Sequence, residues 1–355
     1  MLNPGTRLLS GLICLSTVLV TAGQTETACP KKCFCNTISH IVYCSRRGLP
    51  QIPSDVPEDT LQLNLNGNVF QTAHLQSANF SGYPILEHLY LSECGIETID
   101  VDTFAELVNL KWLDLSSNRI KLVQDYTFRG LHLQHLFLNG NRNIQVRPKS
   151  FAGLETQGLY LHECSITNVP LDVIAPLNST LKYLWLNGNQ IEVLDKKLVS
   201  MFQTLSHVRL AGNPFHCNCQ VQWLKEFFDR NPETFKGAEP PACLTPIKIA
   251  GRFFNQLSVF DFRCQAPVFN NIEANLDKRH GRLRCTATGD PAPTLFWIRP
   301  SGESRRYAPP TEEDAVHNEG VLRLSSPSAH SDLSGMYICL AFNEAGNVTL
   351  TMNVS

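Results

Sequence analysis

The stretch Leu110-Lys-Trp-Leu-Asp-Leu-Ser-Ser-Asn118-Arg-Ile120 returns in nearly the same form as Leu181-Lys-Tyr-Leu-Trp-Leu-Asn-Gly-Asn189-Gln-Ile191. Both follow the pattern Leu-x-x-Leu-x-Leu-x-x-Asn/Cys-x-Leu. Its Asn or Cys position falls at Asn68, Cys94, Asn118, Asn141, Cys164, Asn189 and Asn213, at intervals of 26, 24, 23, 23, 25 and 24 residues. A period held through six intervals predicts a solenoid of seven repeats, whose short strands form a parallel sheet on the concave side.

The core of this solenoid can also be predicted. The leucines of each repeat are expected to point inward, and Phe104, Phe128 and Phe151 to fill the far side of the core. Cys94 and Cys164 lie three repeats apart, which is roughly 14 Å at the usual strand spacing. Because a disulfide needs Cα atoms within about 7 Å, both are predicted to be free, buried thiols. A redox role would need an activating partner, and none is evident.

The N-terminus has the features of a secretory signal peptide. Arg7 precedes an apolar run from Leu8 to Val20, and the small residues Ala22 and Gly23 follow. Such a run is too short to span a bilayer but fits a signal-peptide core. A buried strand or a signal anchor is the alternative. Secretion would place the cysteines beyond Cys14 in an oxidising compartment.

Two cysteine groups flank the repeats: Cys29, Cys33, Cys35 and Cys44, then Cys217, Cys219, Cys243 and Cys264. Spacing alone leaves three connectivities open for each group. The segments Cys29-Pro-Lys-Lys-Cys-Phe-Cys35 and Asn213-Pro-Phe-His-Cys-Asn-Cys219 resemble the caps of the extracellular leucine-rich-repeat family. The resemblance implies the pairs Cys29–Cys35, Cys33–Cys44, Cys217–Cys243 and Cys219–Cys264. Zinc sites at His216-Cys-Asn-Cys219 or Cys33-Phe-Cys35 are the alternative. A helix bearing Trp223, Leu224, Phe227 and Phe228 is expected to cover the final repeat.

The last part of the chain carries a different pattern. Cys285, Trp297 and Cys339 have the spacing of an immunoglobulin core, in which the tryptophan packs on a disulfide between two sheets. Tyr337 stands two residues before Cys339, as a tyrosine corner requires. The family's Asp would fall at Leu333, so the usual salt bridge of that corner is expected to be missing.

The fold class is therefore predicted to be an α/β leucine-rich-repeat solenoid with disulfide caps, followed by an all-β immunoglobulin-like sandwich. The expected boundaries are 1–23 for the signal peptide, 28–59 for the N-terminal cap, 60–212 for seven repeats, 213–265 for the C-terminal cap and 266–355 for the last domain.

This order resembles the ectodomains of leucine-rich-repeat and immunoglobulin proteins, including the Kekkon, Amigo, Lingo and Trk receptor groups. The resemblance implies extracellular adhesion or receptor work with a protein partner, and it leaves open whether that partner is a second copy of the chain. The chain would be held at the cell surface if an anchor lies beyond Ser355, and secreted otherwise. A secreted modulator that sequesters a ligand or matrix protein, and an immune pattern receptor, are the alternatives.

Other functions have little support in the sequence. The net charge of −2 gives no reason to expect nucleic-acid binding. Hydrolase, metalloprotease, phosphate-loop and dinucleotide motifs are missing, so the chain is predicted not to be an enzyme and to need no cofactor or metal.

The candidate binding site lies on the concave sheet. Residues on either side of the central leucine of each strand face away from the core, and six of these fourteen are aromatic: Tyr90, Trp112, Phe137, Tyr160, Tyr183 and Trp185. We expect them to face water and, with His88 and His135, to bind the partner. The alternative is that they only stabilise the sheet by cross-strand packing. Together with His162 and His207, the histidines could make binding sensitive to pH.

Two surface features complete the prediction. Sequons at Asn79, Asn178, Asn347 and Asn353 are candidate glycosylation sites. A basic segment with Lys278, Arg279, Arg282 and Arg284 is a candidate heparan sulfate site, and a solvated strand face is the simpler interpretation.

Overall fold

The computed structural model describes residues 29–270, 275–277, 281–310, 316–324 and 334–354. The predicted signal peptide lies outside this part of the chain, as do Lys278, Arg279 and the corner position Leu333. Among the described residues, no helix combines the length and the apolar character needed to cross a membrane.

The first part of the chain consists of short strands and single helical turns. Its strands are β1 (Phe34–Asn36), β2 (Ile41–Tyr43), β3 (Gln62–Asn64), β4 (His74–Leu75), β5 (His88–Tyr90), β6 (Thr98–Ile99), β7 (Trp112–Asp114), β8 (Leu122–Val123), β9 (His132–Phe137), β10 (Gln145–Val146), β11 (Glu155–Tyr160), β12 (Tyr183–Trp185), β13 (His207–Arg209), β14 (Phe215–His216) and β15 (Cys243–Thr245). Its α-helices are α1 (Leu171–Ile174), α2 (Val199–Phe202) and α3 (Gln222–Arg230). Short 3-10 helices lie at Ser77–Asn79, Ala175–Leu177, Lys196–Leu198, Pro232–Phe235, Ile247–Ile249, Phe254–Gln256 and Val259–Phe262.

One long sheet carries the solenoid. Within the described range 29–270 it has nine strands, in the order β1-β2-β3-β5-β7-β9-β11-β12-β13. The strands of the seven repeats run parallel, as the sequence predicts. The sheet is two strands wider than expected because the N-terminal cap adds β2 in parallel and β1 antiparallel to it.

The buried asparagines hold consecutive repeats together. The Asn118 amide donates to the carbonyl oxygens of Leu91 and Leu115 at 2.8 and 3.0 Å. Its Oδ1 accepts from the backbone N–H groups of Cys94 and Ile96 at 3.0 and 3.1 Å. A third donated bond reaches the Ser116 carbonyl at 3.2 Å. One side chain thus satisfies five backbone groups of two repeats, which explains why the position recurs with the period of the solenoid.

Phenylalanines form a second spine on the far side of the core. The rings of Phe80, Phe104, Phe128 and Phe151 follow one another with centroid separations of 5.5, 6.1 and 6.3 Å. All four rings are buried. Phe80 extends the predicted row of Phe104, Phe128 and Phe151 by one repeat.

Disulfide-linked caps close both ends of the solenoid. The bonded pairs are Cys29–Cys35, Cys33–Cys44, Cys217–Cys243 and Cys219–Cys264, the same pairs that the family resemblance implies. Helix α3 lies over the last repeat, where Trp223 donates through Nε1 to the Leu194 carbonyl at 3.0 Å. Trp223 and Phe227 pack edge-on against Phe202. Because Cys217 and Cys219 are disulfide-bonded, they cannot serve as zinc thiolates.

The C-terminal part is an all-β domain. Its strands are β16 (Gln265–Phe269), β17 (Asn275–Asp277), β18 (Arg282–Asp290), β19 (Thr294–Ile298), β20 (Ser304–Tyr307), β21 (His317–Arg323), β22 (Gly335–Asn343) and β23 (Gly346–Val354). One sheet joins β16, β18, β17 and β21, and the other has the order β20-β19-β22-β23. The Cys285–Cys339 disulfide links the two sheets beside the buried side chains of Trp297 and Tyr337.

Candidate binding face

The parallel strands align the candidate residues in two rows across the concave sheet. Because paired residues of neighbouring parallel strands point to the same side of a sheet, each row forms a continuous line of side chains. The row that follows the central leucine reads Phe34, Tyr43, Asn64, Tyr90, Asp114, Phe137, Tyr160, Trp185 and Arg209. The row that precedes it runs from Gln62 through His88, Trp112, His135, Gly158 and Tyr183 to His207.

Five of the six predicted aromatic residues form a continuous ladder of rings. Phe137 and Tyr160 stack nearly parallel, with 4.2 Å between ring centroids. Trp112 lies 4.7 Å from Phe137 on one side, and Trp185 meets Tyr160 edge-on at 4.7 Å on the other. Tyr90 adjoins Trp112 at 6.2 Å. Tyr183 stacks separately on His207, at 5.2 Å.

The ladder is more buried than the sequence predicts. We expected six water-facing rings, but most of them are half-buried and Tyr160 is only 6% exposed. The reason is Gly158, which has no side chain and lets the Tyr160 ring lie back over the sheet. There the Tyr160 hydroxyl reaches Nδ1 of His135 at 3.0 Å. The expectation of water-facing rings is therefore wrong for Tyr160.

Two exposed aromatic residues of this face were not predicted. Phe34 and Tyr43 belong to β1 and β2 of the N-terminal cap and stack with centroids 6.3 Å apart. They are 59% and 38% exposed. Their signal in the sequence is the alternation Phe34-Cys-Asn and Ile41-Val-Tyr43 around cap residues, which the repeat pattern does not include.

Burial favours the neutral forms of three side chains in the middle of the face. It lowers the pKa of His135 and His162 and raises the pKa of Tyr160. These side chains therefore favour their neutral forms near neutral pH. A cation borders the ladder at Trp185, where the Arg209 guanidinium lies 3.9 Å from the ring centroid.

Several polar atoms of this face have no hydrogen-bond partner among the described residues. They are Nε1 of Trp112 and Trp185, Nδ1 of His88 and His162, and Oδ1 of Asn139 and Asn187.

The remaining predicted groups lie elsewhere. Cys94 and Cys164 are free and buried, and each thiol donates to a leucine carbonyl at 3.3 Å. Of the basic segment, the structure describes the side chains of Arg282 and Arg284. Arg284 pairs with Glu319 at 2.9 Å. Half of the proposed heparan sulfate site is therefore outside the described residues, and one of its remaining cations is already neutralised.

The four sequons are spread over the molecule. Asn178, Asn347 and Asn353 are exposed, whereas Asn79 is half-buried and accepts from the backbone N–H of Gln76 at 2.8 Å. No described group of three or more His, Cys, Asp or Glu side chains has the arrangement of a metal site.

Comparison with known proteins agrees with the repeat architecture. The leucine rich repeat family model matches residues 61–120 and 84–143. A mouse leucine-rich repeat and fibronectin type-III domain-containing protein 2 is 32% identical over 41% of this chain and 17% of its own length. A zebrafish leucine-rich repeat and fibronectin type III domain-containing protein 1-like protein is 26% identical over 96% of this chain and 53% of its own.

The chain thus spans about half the length of the zebrafish relative and less of the mouse one. The solved structure of human trophoblast glycoprotein is 24% identical and covers 68% of this chain and 100% of its own, with a TM-score of 0.49. None of these names denotes an enzyme family. The family model thus matches two overlapping stretches of the repeat region, and over that part the chain is similar to leucine-rich repeat proteins.

Proposed function

We propose that this chain is an extracellular recognition protein that binds a protein partner on the concave face of its solenoid. The single observation that carries the proposal is the in-register ladder of Tyr90, Trp112, Phe137, Tyr160 and Trp185 on the open side of the sheet. Aromatic side chains provide much contact area with few rotatable bonds, and they dominate the energetics of protein interfaces. His88, His135 and Tyr183 flank the ladder on the same face.

Cross-strand packing alone does not explain all features of this surface. Packing accounts for the stacking of Phe137 on Tyr160. It does not explain why Phe34 and Tyr43, at the open end of the same row, are 59% and 38% exposed. A protein partner would cover these two rings.

The size of the face suits such a partner. Nine strands at the usual spacing extend about 40 Å, and two outward residues on each strand can supply the roughly 800 Å² of a standard interface. The aromatic rings and the cation Arg209 at one end favour a partner with apolar side chains opposite the rings and a carboxylate at that edge.

The rest of the chain supports an extracellular location. We propose that residues 1–23 are a signal peptide, that the caps are residues 28–59 and 213–265, and that residues 266–355 form an immunoglobulin-like domain. The immunoglobulin assignment is supported by the Cys285–Cys339 disulfide and by Trp297, which donates through Nε1 to the Gly320 carbonyl inside the sandwich. Disulfides in both caps favour an oxidising compartment.

The test is a binding screen with variants matched for chemistry. Residues 24–355 would be produced as a secreted protein and tested against an array of extracellular proteins that includes the chain itself. Tyr90→Asp and Tyr183→Asp each place a charge at a half-buried ring of this face. Val69→Asp and Val108→Asp add the same charge at side chains that are 71% and 63% exposed and lie outside the sheet rows.

We expect each tyrosine variant to weaken partner binding by about 30-fold, which corresponds to the loss of one interface hot spot. The valine variants should bind like the wild type. If all four variants bind equally, the partner uses another surface and the proposal is wrong. Circular dichroism and the unfolding midpoint would show that each variant keeps its fold.

A further inference from the structure

One sheet of the C-terminal domain presents an apolar surface on the side that faces away from the core. In β19 and β22, every second residue packs inward, among them Trp297, Tyr337 and Cys339. The alternate residues form an outer face that we define as Phe296, Ile298, Met336, Ile338, Leu340 and Phe342. Sheets with one solvated face normally alternate apolar and polar residues, so a contiguous outer apolar surface needs a cover.

The neighbouring strand β23 places two glycosylation sequons beside this outer face. Asn347 pairs directly with Phe342, and Asn353 pairs with Met336. Directly opposite residues of an antiparallel pair have Cβ atoms about 5 Å apart and point to the same side. Both asparagines are exposed, and Phe342 and Met336 are 39% and 59% exposed. The two acceptors thus stand at opposite ends of the apolar surface.

The surface next to Asn347 also has room for a sugar. A shallow depression of about 530 Å³ is lined by Leu340, Phe342 and Asn347, among others. The Phe342 ring stacks on Phe296 with 5.9 Å between centroids, which presents an aromatic surface beside the acceptor. In Asn347-Val-Thr349, the acceptor and the sequon hydroxyl both lie on the exposed side of β23.

From this juxtaposition we infer that N-linked glycans on Asn347 and Asn353 cover the outer face of the C-terminal sheet. In the modification, Nδ2 of asparagine attacks C1 of the first N-acetylglucosamine of a lipid-linked oligosaccharide diphosphate. The new N–C bond replaces the bond from C1 to phosphate oxygen, Nδ2 loses one proton, and the lipid diphosphate leaves. The apolar C–H face of the attached sugar then packs on Phe342. The inference rests on the extracellular location in the proposed function.

A glycan explains the pattern better than a second copy of the chain does. A partner sheet docked on the outer face would have to contact the rim formed by β23, where both sequons lie. A sugar on Asn347 would occupy the space above Phe342 that such a partner needs. Glycans are bulky and solubilising, which is the property that an uncovered apolar surface lacks.

The experiment compares glycan occupancy with the accessibility of the outer face. Residues 1–355 would be expressed in mammalian cells, and peptide mass spectrometry would measure occupancy at Asn347, Asn353 and Asn178. The double variant Asn347→Gln/Asn353→Gln removes both acceptors, and Asn178→Gln removes an exposed acceptor in the repeats as the matched control. Binding of an apolar fluorescent dye and light scattering would report exposure and self-association.

We expect Asn347 and Asn353 to be occupied, and dye binding to rise about threefold in the double variant but not in Asn178→Gln. Adding Phe342→Thr and Met336→Thr to the double variant should abolish that rise. The inference is overturned if both acceptors are bare in the secreted protein, or if the double variant behaves like Asn178→Gln. It is also overturned if the glycosylated wild type self-associates and Phe342→Thr prevents this. If the protein is not secreted, the extracellular location in the proposed function is wrong instead.

Discussion

The hydroxyl of Tyr160 and Nδ1 of His135 lie 3.0 Å apart across Gly158, at the centre of the concave sheet. A side chain at position 158 would separate them, because an added Cβ would be 2.5 Å from Nδ1 of His135 and 2.9 Å from the Tyr160 ring. The lack of a side chain at Gly158 therefore lets the middle of the aromatic ladder lie closer to the sheet. The proposed partner-binding surface depends on this gap as well as on the rings.

Gly158→Ala is expected to disrupt the centre of the ladder. The added methyl group must displace both His135 and Tyr160, and such overpacking costs about 1–3 kcal/mol in the free energy of unfolding. Urea denaturation would measure the loss, and the binding assay would show a parallel loss of affinity for the partner.

Gly82→Ala is the matched control for this substitution. Nothing lies within 4 Å of the position that its Cβ would take, so its free energy of unfolding should stay level or rise slightly. An equal loss of stability in both variants would mean that general backbone effects, and not the His135–Tyr160 pair, determine the result.

Stability should fall in mild acid because of the half-buried histidines His135 and His162. Burial lowers the pKa of His135 in the folded protein, whereas an unfolded histidine titrates near 6.5. Below about pH 6.5 the unfolded chain binds a proton that the folded chain resists, so stability is full above this pH and declines as pH falls toward the lowered folded value. The groups that face His135 are the neutral side chains of Trp112, Phe137, Tyr160 and Tyr183.

His135→Gln should flatten this decline when unfolding is measured between pH 7.5 and 5.5. Tyr160→Phe keeps the ring that buries His135 and should keep the decline. His162 also has a lowered pKa and would supply the slope that remains in His135→Gln. An unchanged slope in that variant would show that His135 contributes nothing to it.

The repeats can be predicted from the sequence because the spacing of the asparagines reflects where backbone groups need hydrogen-bond partners. Each recurrent asparagine satisfies backbone groups of two repeats, so its position follows from the chain geometry alone. The rows of the concave sheet follow from the same spacing, which explains why all six aromatic residues lie on one face.

The parts that were missed depend on contacts between non-repeating elements. Phe34 and Tyr43 join the face through a hairpin that disulfides position and that carries no repeat pattern. The burial of Tyr160 depends on the empty position at Gly158 and on the direction of one ring. Neither can be predicted from a strand alternation that treats every outward residue alike.

Asn118→Ala should be among the more damaging single changes in the repeats. It removes three donated hydrogen bonds and leaves the backbone N–H groups of Cys94 and Ile96 unpaired, a loss of about 2–4 kcal/mol in the free energy of unfolding. Asn118→Cys should cost less, because cysteine holds the equivalent position at Cys94 and Cys164. Asn109→Ala, which loses one exposed hydrogen bond, should change stability little. Equal effects in Asn118→Ala and Asn109→Ala would contradict the bridging role.

The two free thiols should be inert in the folded protein. Burial raises the pKa of both Cys94 and Cys164 to about 11, so only about one thiol in a thousand is ionised at pH 8. Iodoacetamide at that pH should leave native residues 24–355 unmodified and should label both cysteines after denaturation without reductant. Val108→Cys supplies an exposed thiol as the positive control for reactivity. Labelling of native Cys94 or Cys164 at the rate of that control would show that the solenoid opens between repeats, since neither thiol is otherwise accessible.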